Sequence, residues 1–284
     1  MIPVVDLERP DAAERLRRAC EELGFFTVVG HGVPDELIDE VAARSRAFFD
    51  LPDAEKERFR APAPGSPKAT RSPGRASAAL PPTLPALAPG LPVYRPLGAE
   101  KLGANADRKA SLDWGPALAG VAWPNGELRR AFERYYAEML RVAAAIVATF
   151  ELGIDELFED RSSSLRVIDY PAGAGGARAG AHRDYGALTL IRSDRAGLEV
   201  QTRDGEWLAV QAPPGGFVVN IGDLMQRWTR DRWVSTLHRV VGREQQAPRR
   251  QSLVFFHNPR GDAEIDGVRA GEYILQRAAE AGLS

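Results

Sequence analysis

Cysteine is almost absent from this chain of 284 residues, which contains only Cys20. A single cysteine excludes an internal disulfide, and this is compatible with the reducing cytoplasm. Cys20 lies at helical spacing from Leu16 and Leu23, so we predict that it is a small core residue rather than a reactive thiol.

Long apolar runs and an excess of one charge are also missing. No hydrophobic stretch approaches the roughly 20 residues that cross a bilayer, and the start MIPVVDLERPDAAERL lacks the pattern of a secretory signal. The chain has 37 basic and 39 acidic residues, a net charge of −2, which does not indicate a nucleic-acid partner. We therefore expect a cytoplasmic protein that binds neither nucleic acid nor membrane. Its oligomeric state is unknown, and a monomer is compatible with the sequence.

The order of helical and β-prone segments predicts one domain over residues 1–284. Its expected portions are an N-terminal α/β portion (1–60), a Pro-rich loop or lid (61–92), a connecting portion with a long helix (93–160), a β-rich catalytic core (161–260) and a C-terminal tail with a helix (261–284). Residues 61–92 contain nine of the 21 prolines, so they cannot form a regular helix or a central strand. Two interpretations remain for them, a loosely packed loop and a lid over the active site.

The helices and strands follow from hydrophobic periodicity. We predict a helix from about Pro10 to Leu23, a strand over Phe25–Val29, a helix starting near Pro34 and a long helix over Glu127–Leu152 with an apolar stripe. Seven short β-prone runs follow: Leu165–Tyr170, Leu188–Ile191, Leu198–Gln201, Trp207–Val210, Phe217–Ile221, Thr236–Val241 and Leu253–Phe256. Short strands separated by turns in this way indicate a β-sandwich or a jelly roll.

Two of the four histidines belong to a pattern of metal ligands. His182 and Asp184 share a face of an extended segment, and a jelly roll can bring His238 alongside them from a distant strand. Two imidazoles and one carboxylate suit Fe(II) with open positions for O₂ and a co-substrate. The same donors also bind zinc in hydrolases. A further alternative is that His182 and Asp184 are surface residues making local hydrogen bonds.

A second pair at alternate positions, Arg250 and Ser252, precedes a strongly β-prone run. A guanidinium and a hydroxyl on one face can hold a carboxylate. 2-Oxoglutarate could chelate iron through its 2-oxo acid end and place its far carboxylate there. The alternative is a solvated arginine, since seven arginines lie between Arg227 and Arg250. That stretch itself indicates either an electropositive entrance for an anionic substrate or a solvated charged face.

Several sequence blocks together resemble a known family. IPVVDL and ELGFFTVVGHGVP lie near the start. RVIDYPA, GAHRDYGALTLI, GLEVQTRDGEWLAV, PPGGFVVNIGDLMQRWT, STLHRVV and RRQSLVFFHNP follow later, in the family's order. In these blocks the chain is similar to the iron- and 2-oxoglutarate-dependent dioxygenases of the isopenicillin N synthase-like class.

The resemblance implies a mainly β fold, a double-stranded β-helix (jelly roll) core braced by N-terminal and central helices. It also implies six site residues: three Fe(II) ligands, His182, Asp184 and His238, and three residues at the distal carboxylate of 2-oxoglutarate, Arg250, Ser252 and Tyr170. Ile168 departs from the pattern, because many relatives have an asparagine there beside the co-substrate. His31, in a Gly-His-Gly turn, and His257, after the last core strand, are expected to have structural roles.

The activity implied by the resemblance uses Fe(II), O₂ and 2-oxoglutarate. Oxidative decarboxylation of 2-oxoglutarate to succinate and CO₂ would be coupled to C–H oxidation of a small organic substrate of specialised metabolism, by hydroxylation, desaturation or cyclisation. Three alternatives stay open: an oxidase that does not need 2-oxoglutarate, an enzyme that fragments 2-oxoglutarate to ethylene, and a catalytically silent binding protein with the same fold.

Overall fold

A computed structural model describes residues 2–60, 93–102, 106–116, 123–158 and 162–280. The Pro-rich stretch 61–92, for which the sequence predicts a loop or a lid, lies outside these ranges. None of the helices in the described ranges has the length and apolarity that a membrane span requires.

Two sheets form the core, and all their neighbouring strands are antiparallel except the pair β1–β2. The large sheet has the order β1 (Val4–Asp6), β2 (Phe25–Val29), β10 (Phe217–Ile221), β7 (Leu188–Ser193), β12 (Arg250–His257), β5 (Ser164–Tyr170), β4 (Ala110–Trp114) and β3 (Val93–Arg95). The small sheet has the order β6 (Gly173–His182), β11 (His238–Ala247), β8 (Leu198–Gln201) and β9 (Trp207–Val210). A separate ribbon pairs β13 (Glu264–Ile265) with β14 (Val268–Arg269).

From β5 to β12 the chain passes between the two sheets, and these eight strands form a double-stranded β-helix. Strands β1 and β2 extend the large sheet at one edge, and β3 and β4 extend it at the other. The predicted fold class is confirmed.

The helices of the described ranges are α1 (Ala12–Glu22), α2 (Asp35–Phe49), α3 (Asp53–Lys56), α4 (Gly126–Thr149), α5 (Asp223–Trp228) and α6 (Ala270–Glu280), with 3-10 turns at Glu57–Phe59 and Asp155–Leu157. Of these, α1, α2 and α4 brace the large sheet, whereas α5 and α6 contact the β13–β14 ribbon. The predicted long helix is confirmed as α4. Its start is capped by Asn125, whose side chain accepts a hydrogen bond from the Leu128 N–H at 2.8 Å.

Side-chain alternation along the large sheet separates a packing face from a cavity face. On β12, Leu253 and Phe255 join the hydrophobic cluster under the helices. Their neighbour Val254 packs on the inner side, where Arg250 and Ser252 also line a cavity between the sheets. A strand that anchors the core therefore also carries predicted site residues.

Strand β6 is absent from the sequence prediction. Its sequence GAGGARAGAH is rich in glycine and alanine, which have low β propensity. The strand forms because β11 pairs with it over most of its length. Strands β3 and β4 were also not predicted, and β11 begins at His238 rather than at Thr236.

Gly24 lies between α1 and β2 and offers a test of the fold. Its φ is +67°, and a Cβ there would meet the Val234 carbonyl. Gly153 has nearly the same φ, +66°, but a Cβ at that position would have nothing within 4 Å. We expect Gly153→Ala to cost about 1 kcal/mol from the left-handed backbone alone and Gly24→Ala to cost about 2–4 kcal/mol, because a backbone clash is added. Urea unfolding measures both, and equal losses would contradict the close approach of Val234.

Candidate metal and co-substrate site

Strand pairing brings the three predicted metal ligands together. His182 is the last residue of β6, His238 is the first of β11, and the two are direct partners across the small sheet. Asp184 lies two residues beyond His182. The donor atoms of all three lie within 4.8 Å of one another. Asp184 Oδ1 is 3.9 Å from His182 Nε2 and 3.8 Å from His238 Nε2.

Hydrogen bonds fix the tautomer of both imidazoles. His182 Nδ1 is 2.8 Å from the Gly180 carbonyl, and His238 Nδ1 is 3.1 Å from the Thr236 carbonyl. Because a carbonyl only accepts, each Nδ1 carries the hydrogen and each Nε2 keeps its lone pair. Burial, with the adjacent His238, lowers the pKa of His182. His182 is therefore a neutral imidazole near pH 7 with Nε2 free to bind a metal.

The carboxylate of Asp184 is oriented from its other side. Oδ2 accepts hydrogen bonds from Thr189 Oγ1 at 2.6 Å and from Asn220 Nδ2 at 2.8 Å. Oδ1 therefore remains directed at the imidazoles. Burial acts to raise the pKa of Asp184, but the imidazoles and these hydrogen bonds outweigh it and hold that pKa below its usual value. Neither Thr189 nor Asn220 was predicted from the sequence, although a polar Asn220 inside the apolar run Phe217–Ile221 was a usable signal.

The donor set fits a ferrous ion. Two neutral nitrogens and one anionic oxygen converge, and the side chains of Asp184 and His238 are only 9% and 5% exposed. This burial does not fit the alternative of surface residues with local hydrogen bonds only. The donor types by themselves also suit zinc, so the choice of metal depends on the rest of the cavity.

The backbone of Gly180 links His182 to a buried ion pair. The Gly180 carbonyl accepts from His182 Nδ1, and the Gly180 N–H donates to Asp107 Oδ1 at 3.0 Å. Asp107 is buried, and its Oδ2 lies 3.1 Å from Lys109 Nζ. One residue, Gly180, thus connects a buried ion pair to a candidate metal ligand through its N–H and its carbonyl. Neither Asp107 nor Lys109 was predicted from the sequence, because only the fold brings the segment before β4 beside β6.

Arg250 is a buried cation whose hydrogen-bond partners are all neutral. It donates to Ser252 Oγ at 2.6 Å, to Ser193 Oγ at 2.8 Å and to the Arg195 carbonyl at 3.1 Å. It forms no ion pair with any carboxylate in the described ranges, although only 2% of the residue is exposed. Burial lowers the pKa of Arg250. An uncompensated buried charge is costly, so an anionic ligand would complete this environment.

Tyr170 completes the predicted co-substrate group. It is the direct partner of Arg250 between β5 and β12, and the Arg250 Cζ lies 5.1 Å from the centre of its ring. Ile168 adds an apolar surface on the same strand face. One cavity of about 190 Å³ is lined by all six predicted site residues: His182, Asp184, His238, Arg250, Ser252 and Tyr170.

The remaining histidines lie outside this cluster. His31 Nδ1 accepts from the Val33 N–H at 3.1 Å, and its Nε2 faces the Gly215 carbonyl. His257 bonds to Ser163 Oγ at 2.9 Å through Nδ1 and stacks on Phe158. Both contacts agree with the structural roles expected from the sequence.

The arginine-rich stretch contributes little to the lining of this cavity. Of its seven arginines only Arg250 lines the cavity. Arg239 and Arg243 bind Glu199, and Arg249 binds acidic residues elsewhere on the surface. Both interpretations of the stretch, an electropositive entrance and a solvated charged face, therefore stay predictions.

Comparisons with known proteins agree with this geometry. Residues 161–259 match the family described as the 2OG-Fe(II) oxygenase superfamily, and residues 2–81 match the N-terminal region described for the non-haem dioxygenase in morphine synthesis. The 2-oxoglutarate-dependent dioxygenase citB of Monascus ruber is 33% identical over 93% of this chain and 86% of its own. The homoarginine-6-hydroxylase 2-ODD-C23.1 of Arabidopsis thaliana is 29% identical over 98% and 93%.

Solved structures give the same result. A full-length Neurospora crassa protein in complex with α-ketoglutarate (2-oxoglutarate) superposes with a TM-score of 0.76 and 25% identity, covering 98% of this chain and 96% of its own. The chain belongs to the Fe(II)- and 2-oxoglutarate-dependent dioxygenases of the isopenicillin N synthase-like superfamily. It is an enzyme whose cofactor is Fe(II) and whose co-substrates are 2-oxoglutarate and O₂, and it oxidises a small molecule.

The two hydrogen bonds of Gly180 predict that a substitution at Asp107 weakens metal binding, although Asp107 is not itself a predicted ligand. Asp107→Ala removes the acceptor that holds the Gly180 peptide, so His182 loses its fixed orientation. We expect Co(II) affinity, measured by competition with a chelator, to fall about 10-fold. Asp107→Asn keeps an acceptor and restores most of this affinity.

Arg95→Gln is the matched control, because Arg95 pairs with Glu100, which also pairs with Lys109, but does not contact Gly180. It should lower thermal stability without changing Co(II) affinity. Unchanged affinity in Asp107→Ala would show that Asp107 only stabilises the fold.

Proposed function

We propose that the cavity between the two sheets is the active site. His182, Asp184 and His238 hold Fe(II), while Arg250, Ser252 and Tyr170 hold the distal carboxylate of 2-oxoglutarate. The observation that carries this proposal is the buried Arg250, which lacks an acidic partner among the described residues and lines the same cavity as the three-donor cluster. A dicarboxylate with one end at the three-donor cluster and the other at Arg250 would give the metal a further ligand and Arg250 a counter-charge.

When bound, Fe(II) with O₂ and 2-oxoglutarate supplies the oxidising chemistry that turns 2-oxoglutarate into succinate and CO₂ and oxidises a substrate C–H bond. The protein itself would position the metal and 2-oxoglutarate. The two carbonyl-fixed imidazoles and Asp184 present three donors from one side. Arg250 neutralises and orients the far carboxylate. Apolar side chains such as Ile168, Ile191 and Val254 exclude water from the space between them.

Hydroxylation is the reaction outcome that we propose, with a small organic substrate of specialised metabolism. Relatives that cover most of this chain are named as a homoarginine-6-hydroxylase and a validamycin A dioxygenase. Desaturation and cyclisation would use the same cavity.

We further propose that the protein is cytoplasmic and has no nucleic-acid partner. Cys20 is a buried free thiol, as expected in a reducing compartment, and the net charge is −2.

The environment of Arg250 also distinguishes the proposed activity from an oxidase that does not use 2-oxoglutarate. An oxidase that uses O₂ without 2-oxoglutarate would leave this buried cation uncompensated, and a silent binding protein would not need the free Nε2 atoms. Succinate and ethylene should be measured together, with and without candidate substrates. Stoichiometric succinate that rises with a substrate supports the proposal, whereas ethylene as the main product contradicts it.

Loss of one imidazole tests the metal site. His238→Ala should abolish stoichiometric Fe(II) binding after anaerobic reconstitution and abolish succinate release, because two donors remain. The far-ultraviolet circular dichroism should stay that of a folded protein. His31→Gln is the control, since His31 lies outside the cluster and its loss should leave Fe(II) binding intact. Full iron binding by His238→Ala would contradict the assignment.

Neighbouring arginines give a matched test of the co-substrate site. Arg250→Ala should weaken 2-oxoglutarate binding by about 1.5–3 kcal/mol, roughly 10- to 150-fold in Kd, because a charge-assisted contact is lost. Arg249→Ala should leave the Kd unchanged, since Arg249 points away and binds Asp169 at 2.7 Å. Titration calorimetry with the Zn(II) protein measures both without turnover. Equal Kd values for the two variants would contradict the assignment.

A further inference from the structure

A cluster of six buried or largely buried charged residues forms one wall of the active-site cavity. Its members are three cations, Arg95, Lys109 and Arg166, and three carboxylates, Glu100, Asp107 and Asp113. All except Asp107 line the cavity directly. The wall joins β3, β4 and β5 on the side of Ile168. Asp107 supports the metal site through Gly180, but the other five residues have no part in the proposed functions of iron and 2-oxoglutarate.

The carboxylates lie on the inside of this cluster. Asp113 receives both Nε and Nη2 of Arg166 at 2.7 Å. The carboxylate oxygens of Glu100 lie 3.1–3.3 Å from side-chain nitrogens of all three cations. The Glu100 and Asp113 side chains are 4% and 6% exposed, whereas those of Arg95 and Arg166 are 19% and 17% exposed. The surface that this wall offers to a ligand is therefore mainly guanidinium.

Arg95 has unused donors. Its closest approach to Glu100 and to Asp113 is through Nε, at 3.3 Å in each case. Its two Nη groups donate no hydrogen bond to any residue in the described ranges. A guanidinium with its Nη edge free can bind a carboxylate in the bidentate manner. Arg166, in contrast, uses its Nε and Nη2 on Asp113.

The net charge of the side chains that line the cavity also favours an anionic ligand. Five cationic side chains and three carboxylates line it, which leaves two positive charges. Asp107, just behind the wall, reduces this to one. Fe(II) and the 2-oxoglutarate dianion cancel each other, so the complete site retains positive charge for a third ligand.

We propose that the primary substrate carries a carboxylate, or a comparable anionic group, which binds the Nη edge of Arg95 on this wall. The apolar residues Leu102, Phe256 and Ile274 line the same cavity and suit an apolar body on that acid. The inference rests on the proposed function and deepens it. It assigns the selection of substrate charge to Arg95 and not to the arginine-rich stretch.

Matched ligand pairs test the proposal. Hexanoate, cyclohexanecarboxylate and phenylacetate, each with its primary amide, are titrated by ligand-observed NMR into protein saturated with Zn(II) and 2-oxoglutarate. We expect at least one acid to bind about 10-fold or more tightly than its amide, because only the acid forms a charge-assisted pair with the guanidinium. Arg95→Gln should remove the preference, and Arg95→Lys should retain part of it.

Arg232→Gln is the control, because Arg232 is an exposed arginine outside the cavity; it should keep the full preference for the acid. The Kd of 2-oxoglutarate should be unchanged in all three variants. Acids that bind no better than amides, acids that do not bind at all, or a preference that survives Arg95→Gln would overturn the proposal. Failure of the wild-type protein to bind 2-oxoglutarate would instead contradict the proposed function.

Discussion

The pairing of β6 with β11 is the constraint on which the site depends. It sets His182 opposite His238, and a slip of one residue would turn either imidazole to the opposite face. The glycine- and alanine-rich β6 has few side chains that could fix this register. Contacts outside the pair therefore matter: the Gly180 peptide is bound by Asp107, and the Thr236 carbonyl holds His238.

The loop that carries Asp184 is fixed by a second close contact. The Asp223 N–H donates to the Asp184 carbonyl at 2.8 Å, and the Leu224 N–H donates to the Gly186 carbonyl at 3.1 Å. A side chain at Gly222 would collide with the Gly186 carbonyl. The start of α5 thus packs directly on the Asp184 loop. The carboxylate is held in place by backbone on one side and by Thr189 and Asn220 on the other.

Local pattern predicted the long helix and most strands of the core, whereas the full set of six site residues was implied by the resemblance to the dioxygenases. Strands with apolar alternation, the long amphipathic helix and the spacing of His182, Asp184 and Arg250 are all visible in the chain. The residues that support them are not, because their roles depend on contacts distant in sequence. Asp107 reaches Gly180 across 73 positions, and Arg95 meets Asp113 only after β3 and β4 have paired. Periodicity carries no information on such contacts.

Three buried or partly buried arginines near one cavity illustrate how environment decides a role. Burial acts to lower the pKa of Arg166, but Asp113 and Glu100 outweigh it and raise that pKa, so Arg166 is a satisfied structural cation. Arg250 is buried without such partners, and its pKa is lowered. The folded protein thus already bears the desolvation cost of that charge, and a carboxylate ligand that enters recovers the Coulomb attraction without having to desolvate the arginine.

Arg95 lies between these extremes, because two carboxylates approach its Nε while its Nη edge remains open. In the site that we propose, the same side-chain type stabilises the sheet at 166, anchors the co-substrate at 250 and selects substrate charge at 95. The difference lies in how many carboxylates the fold places around each guanidinium. A search for ligand-binding arginines in this superfamily should therefore begin with the cations that the fold leaves incompletely paired.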